Sequence, residues 1–508
     1  MTTTKIIKQK LNDSKAARWT ALIIVSLTMM MAYFFTDVMA PLEAPLTTKG
    51  KLVYFTDGSY MPADSLSKIS VEQIGSLDEI EAGKKYTITF SDEQGNNISE
   101  ERTVTTTIKG LGWSGNEYGI FSGAYGYINV FLFMLFFGGL ILDKMGVRFT
   151  GLMSTALMFI GAAIKWYAVD GTFAGELFGL PTQVAIACLG FAIYGMGCEI
   201  AGITVTKVIA KWFTGHEMAL AMGLQVALAR VGTACAMFFA LPIAQAFGLV
   251  SSPVMFGAGA LCIGFLSYIV YCIMDKKLES SSEQNIEAGE SEEQFKLSDL
   301  KEIFCNKGFW LITLLCLIFY SAVFPFLKFA TNLMIIKYNA DPGLAGIIPG
   351  LLPFGTMLLT PLFGSLYDKI GKGATLMIIG SALLTLVHLL FAMPFMNVWW
   401  FAVIVMILLG IAFSLVPSAM WPSVPKIIPL KQLGSAYAII FYIQNIGLSM
   451  VPVLIGNVID SNTVNGTTDY TVPMLIFALF GVIAVVISSA LKIVDKKYNY
   501  GLEEKNEK

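Results

Sequence analysis

The chain has 508 residues, of which 55% are hydrophobic and only 14% charged, and its formal net charge is −2. A soluble protein of this size cannot hide that much apolar surface, and so balanced a charge gives no reason to expect nucleic acid as a partner. Seven cysteines sit in or beside apolar stretches and only two histidines occur. With no metal-ligand spacing, nucleophile motif or nucleotide loop visible, neither a cofactor nor enzymatic chemistry is expected.

A helix needs about 20 mainly apolar residues to cross a bilayer. After an N-terminal tail, 1–18, a first candidate runs over 19–40 within a segment extending to 46. It is long enough to span and shows no cleavage site, so it reads as a span and not as a signal peptide. Residues 47–112 then interrupt the apolar pattern. The strings KLVYFTDGSY, KYTITF and RTVTTTIK alternate β-branched and polar residues, with an Asp-Gly turn signal in the first. They predict a small β-rich module, either a cap or a docking face for an accessory protein. Five more candidates follow at 117–142, 150–168, 182–210, 218–247 and 253–274, completing a first half that resumes at 113. A Ser/Glu-rich linker, 275–307, separates these from six further candidates at 308–337, 343–367, 374–395, 398–424, 432–458 and 470–494. Residues 495–508 form the C-terminal tail.

The expected fold is therefore an all-α polytopic membrane protein of twelve transmembrane helices in two six-helix halves, with a β-rich extracytoplasmic insert. Of the 34 lysines and arginines, 21 fall in the two terminal tails, the linker and the loops of one side. By the positive-inside rule both termini and the linker face the cytoplasm, and the insert faces away from it. The cysteine-free insert and the lack of an acidic dileucine-type signal point to a bacterial inner (plasma) membrane.

The two halves share a short motif. GGLILDKMGVR follows the second span, with Gly139, Asp143, Lys144, Gly146 and Arg148. FGSLYDKIGKG follows the eighth, with Gly364, Asp368, Lys369, Gly371 and Lys372. Repeats at equivalent places in two hydrophobic halves are the plan of a secondary transporter, and this one resembles the loop signature of the major facilitator superfamily. A glycine lets neighbouring helices approach, and an acid at a helix end can pair with bases across a gate. Gly139, Asp143, Lys144, Arg148, Gly364, Asp368 and Lys369 are thus candidate gating residues; the alternative is that they only fix a tight turn.

A charge in mid-membrane costs about 3 kcal/mol on insertion scales, so such residues face a partner or a cavity. Lys165, Lys207 and Lys337 lie close enough to helix ends to snorkel. Arg230 and Lys328 do not, and among the acids Glu199 is mid-helix, with Asp37 and Glu117 nearer the outer ends. Glu199 and Arg230 stand 15 and 16 residues from a turn centred on Thr214. At about 1.5 Å per residue, both lie roughly 22–24 Å along antiparallel helices, at similar depth. They make either a structural ion pair or a substrate site with one anion and one cation to offer.

The segment GMGCEIAGITVTKVIAKWFTGHEMALAMGLQVALARVG, together with FYSAVFPFLKFAT and AMWPSVPKIIPLKQLGSAYAIIFYIQNIGL, resembles the lysosomal dipeptide transporter family of that superfamily. The resemblance covers most of both halves but not the insert. It implies a uniporter without proton coupling, in which Glu199 takes the amine of a small zwitterionic peptide and Arg230 its carboxylate. Lys328 departs from the family pattern. Arginine suits a carboxylate because it engages bidentately. Tyr127, Tyr320, Trp421, Gln444 and Asn445 are expected to complete the substrate site, within a wider lining of Tyr33, Tyr125, Asn129 and Tyr437. A proton-coupled carrier of a sugar or organic anion, titrating Asp37 or Glu199, is the rival reading, and a non-transporting receptor is a more distant one.

Overall fold

The computed structural model describes residues 11–56, 59–62, 80–91, 97–213, 218–282, 302–429, 432–464 and 467–505. Its helices follow from apolar runs bounded by capping residues. Helix α1, Lys15–Asp37, starts at Ser14, whose hydroxyl accepts the Ala17 N–H. A short helix α2, Glu43–Thr47, leads into the insert. The chain re-enters at α3, Gly115–Gly123, through a capping box in which Ser114 and Glu117 satisfy each other's backbone N–H groups. Glu117 is thus a cap.

The second span is not the continuous helix expected over 117–142. After α4, Tyr127–Phe131, the chain turns at Phe133, whose φ of 52° is left-handed, and the two parts of the span meet at 62°. Helix α5, Met134–Asp170, joins the end of this span to the third across Gly146, where φ is 75°. Only glycine takes that conformation without strain, which explains its place in the repeated motif. The first half is completed by α6, Thr182–Phe213, α7, Met218–Phe247, and α8, Ser251–Ser282. The polar linker therefore begins later than expected, because Asp275 and Glu279 belong to the last turns of α8. Residues 283–301 lie outside the described residues.

The second half comprises α9, Lys307–Ile336, α10, Pro342–Ile370, α11, Gly373–Ala392, α12, Trp399–Ile427, α13, Leu433–Ser461, and α14, Thr471–Tyr498. Three prolines sit inside α10 and three inside α12. Membrane helices tolerate them because neighbouring groups can satisfy the freed carbonyls, and the two helices are also tied directly, Ser418 on α12 donating to Thr360 O on α10 at 3.1 Å. Among the described residues, eleven helices are long and apolar enough to cross a membrane, twelve with the bent second span counted as one. The start of α1 and the end of α14 lie at one face, here the termini face. The C-terminal residues after α14 are not a free tail: Leu502 is fully buried, and Gly373 N–H donates to its carbonyl at 2.8 Å.

The insert forms the expected strands: β1, Lys51–Phe55, β2, Tyr60–Pro62, β3, Lys85–Ser91, and β4, Asn97–Lys109, antiparallel in the order β2-β1-β4-β3. Asp57 and Gly58, the predicted turn, lie outside the described residues; the strands around it pair with Tyr54 opposite Tyr60. Leu52, Tyr54 and Ile108 are buried. The sheet bonds to both halves. Thr106 donates to Gln245 O at the end of α7 at 2.8 Å, and Tyr60 donates to Asn332 on α9 at 3.3 Å.

Candidate substrate site and gates

Gly195 on α6 lets the second span approach so closely that a Cβ there would overlap the Tyr125 carbonyl. That contact brings the Tyr125 hydroxyl to Glu199, one turn further along α6, where it donates to Oε1 at 2.8 Å. The Tyr125 ring is itself braced by Phe191 and Tyr194 at 5.6 and 6.2 Å.

Arg230, on α7, projects among rings of both halves. Its guanidinium carbon lies 6.0 Å from the Tyr33 ring of α1, 5.6 Å from Phe324 of α9 and 5.7 Å from Phe413 of α12. Such stacking steadies a cation without neutralising it. Tyr33 stands near enough to both charges to feel each. Among the described residues no ion pair joins Glu199 to Arg230, so the structural-pair arrangement is not the one observed. Behind Arg230, Trp421 Nε1 donates to the Tyr320 hydroxyl at 3.0 Å, and the Tyr320 ring packs on Phe324 and Phe413 at 5.5 and 5.6 Å. Phe324 and Phe413 escaped the sequence reading because a phenylalanine in an apolar run carries no mark that separates packing from function.

The other expected site residues divide. Asn445 on α13 backs onto Gly126, and its Oδ1 is buried with no hydrogen-bond partner among the described residues. Gln444 turns into the second half, where Oε1 accepts the Cys316 thiol at 3.5 Å. The Tyr127 hydroxyl donates to Ile120 O at 3.1 Å along its own span, and Tyr125 is the tyrosine that reaches Glu199.

Lys165 is a correction. It does not snorkel. It is wholly buried, its Nζ has no hydrogen-bond partner among the described residues, and it lies 4.2, 4.5 and 5.2 Å from the rings of Phe191, Phe35 and Phe121. Proximity in space to α1, α3 and α6 overrides proximity in sequence to the end of α5. Lys328 is paired with Asp37 at 2.5 Å and also donates to Thr36 O at 3.2 Å, linking the second half to the first.

That pair belongs to a closed face. At the insert face Asp460 accepts the backbone N–H groups of Gly115 and Asn116 at 2.6 and 2.7 Å, and Tyr118 donates to Lys328 O at 2.8 Å. Gly119 and Gly123 pack on α13 with no room for a side chain, since a Cβ would overlap the carbonyls of Pro452 and Ser449. Among the described residues, hydrogen bonds and ion pairs between the halves lie at this face, and those at the termini face stay within each half.

At the termini face of the first half Arg148 meets Glu279 at 2.6 Å, and Lys211 meets Asp275 at 2.9 Å and Glu279 at 3.1 Å. Asp275 is fully buried and also accepts from Trp212 and Tyr271 at 3.3 and 3.1 Å. A cavity of about 560 Å³ opens here, lined by Lys144, Arg148, Lys207 and Lys211 among others. The second half repeats the scheme with Glu503, which accepts from Thr375 and pairs with Lys492 at 3.4 Å. Lys144 and Lys369 are exposed, Asp368 has a partner, and the side chain of Asp143 lies outside the described residues. The close approach expected at Gly139 and Gly364 is absent: a Cβ at either would meet nothing within 4 Å. The hydrogen bonds and ion pairs between the halves lie at the opposite face, and among the described residues no neighbour presses on these two glycines.

The profile of the Major Facilitator Superfamily matches residues 102–452 and 327–507. The human lysosomal dipeptide transporter MFSD1 is 28% identical over 347 residues, 66% of this chain and 70% of that one. The mouse protein of the same name is 30% identical over 351 residues, with the same shares. Among solved structures, the nucleoside transporter NupG aligns with a TM-score of 0.62 at 15% identity, over 94% of this chain and 98% of its own. A D-xylose-proton symporter aligns at 0.59 and 16%, over 92% and 97%. At such identities these two speak for the fold alone. Two repeated halves, the doubled loop motif and a profile match across most of the chain make this multi-pass membrane protein a transporter of the major facilitator superfamily.

Proposed function

We propose that the chain carries small zwitterionic peptides, dipeptides above all, by alternating access as a uniporter. The carrying observation is that Glu199 and Arg230 present opposite charges without consuming each other: one is held by a tyrosine hydroxyl, the other steadied by rings. A peptide amine at Glu199 and a carboxylate at Arg230 would complete both. The dipeptide transporters among its relatives support the reading. Tyr320 and Trp421 then shape the end of the site nearest Arg230, and Asn445 offers its free carbonyl oxygen.

In this reading the termini face is cytoplasmic, supported by the clustering of basic residues there, and the membrane is a bacterial plasma membrane, supported by an insert without cysteine. The structure described above then represents the state open toward the cytoplasm. The Arg148 network and the Asp368–Lys369 loop act as the gate at that face, with Asp143, Lys144, Gly139 and Gly364 engaging when it closes. Thermal stabilisation of the purified protein against a panel of dipeptides, sugars and organic acids tests the proposal, because a ligand bound only by the folded state raises its apparent stability. Dipeptides are expected to raise Tm; a rise with a sugar or organic acid and none with dipeptides would refute it.

A further inference from the structure

Helix α2 opens with Glu43, at the junction of the first half, the second half and the insert. The residue is 2% exposed, and its Oε2 has no hydrogen-bond partner among the described residues. No ion pair reaches it among the described residues. Its surroundings are uncharged. Asn332 on α9 and Tyr470, just before α14, face the carboxyl, and the hydroxyls of Tyr60 on β2 and Tyr118 on α3 stand near it. The Tyr60 hydroxyl is given to Asn332, and that of Tyr470 is buried with no hydrogen-bond partner among the described residues. The Asp37–Lys328 pair, which also neighbours Tyr118, is complete in itself.

An isolated carboxylate walled in by neutral groups is expensive, and the usual escape is to hold a proton. Two of the walls, Asn332 and Tyr470, belong to the second half, so they leave when the insert face opens. Water then reaches the carboxyl. We propose that Glu43 is a proton-binding site of the insert-face gate: it holds a proton while that face is shut and returns it to the same compartment when the face opens. No net proton crosses the membrane. Opening releases one proton, so rising pH favours the open state and falling pH the shut one. Between the ordinary ionisation of an exposed glutamate, about pH 4.3, and that of the shut state, the ratio of shut to open changes by up to about tenfold per pH unit. The inference rests on alternating access and not on the identity of the cargo.

The test uses no peptide. Spin labels are placed at Phe178→Cys and Ser461→Cys, exposed positions at the insert face of the two halves, in the full chain with the exposed Cys305 replaced by Ser. Distance distributions are recorded from about pH 5 to about pH 8, where an exposed glutamate is already ionised. The long-distance population should grow with pH. In Glu43→Gln, a neutral match for the protonated acid, it should stay at the level seen at the acid end at every pH. Glu43→Asp, which keeps a carboxyl, should keep the pH dependence with its midpoint moved. Wild-type pH dependence in Glu43→Gln, a wild type indifferent to pH, or loss of the dependence in Glu43→Asp would each overturn the proposal.

Discussion

Replacing Asp37 with Asn removes the acid that ties the halves together at the insert face. Its carboxylate lies 2.5 Å from Lys328 Nζ, and the two side chains are 12% and 14% exposed. Removing one partner of a buried pair typically costs about 3–5 kcal/mol, because the other charge is left stranded. Two features adjust this figure. Lys328 keeps Thr36 O at 3.2 Å as an acceptor, and the slight exposure admits some screening. The shut state should therefore lose about 2–3 kcal/mol relative to the open one, where Lys328 gains water, a shift of roughly 30- to 150-fold in the ratio of the two states. The distance between labels at positions 178 and 461 reads this directly: Asp37→Asn should populate the longer distance, and Asp37→Asn with Lys328→Met should restore the shorter one. An unchanged distribution in the single mutant would show that the pair does not hold the gate.

Gly123→Ala places a methyl against the Ser449 carbonyl and should favour the same open state; full closure with the alanine in place would contradict the packing described. Tyr125→Phe removes one hydrogen bond to Glu199, worth about 1 kcal/mol, and should raise the dipeptide KM several-fold with little change in kcat. An unaltered KM would take Tyr125 out of the site. Lys165→Met replaces an unpartnered buried cation by an apolar chain of similar volume and should raise Tm by a few degrees in detergent. A large fall in Tm would mean that the three rings bind the ammonium more strongly than its burial costs.

Much of this was legible in the sequence, for identifiable reasons. Hydropathy marks spans because the bilayer demands about 20 apolar residues, and the β strings of the insert alternate as half-buried strands do. Glu199 and Arg230 stood out because charge is rare in a span. What stayed hidden depends on facing. Lys165 looked like a snorkelling residue because its place in the chain is near a helix end, yet three other helices enclose it. Gly119 and Gly123, which carry the close approach at the shut face, look no different in sequence from Gly139 and Gly364, which carry none in this state. The bend at Phe133 has no proline or glycine to announce it. Glu43 sat inside what read as the end of the first span, and only the meeting of three parts of the chain shows that it is walled in.

The dipeptide site can be tested most directly by comparing one dipeptide in four forms, free, N-acetylated, C-amidated and doubly blocked, for binding to the wild type, Glu199→Gln and Arg230→Ala. Each extended residue adds roughly 3.5 Å, so the two charges also act as a ruler that favours a dipeptide over a free amino acid. Blocking one terminus of the peptide leaves Glu199 or Arg230 without its partner and should weaken wild-type binding by about 3–5 kcal/mol, hundreds-fold or more. Glu199→Gln should lose its preference for a free amine, and Arg230→Ala its preference for a free carboxylate. Undiminished binding of the doubly blocked peptide, or full transport by the double variant Glu199→Gln with Arg230→Met, would contradict the zwitterion site.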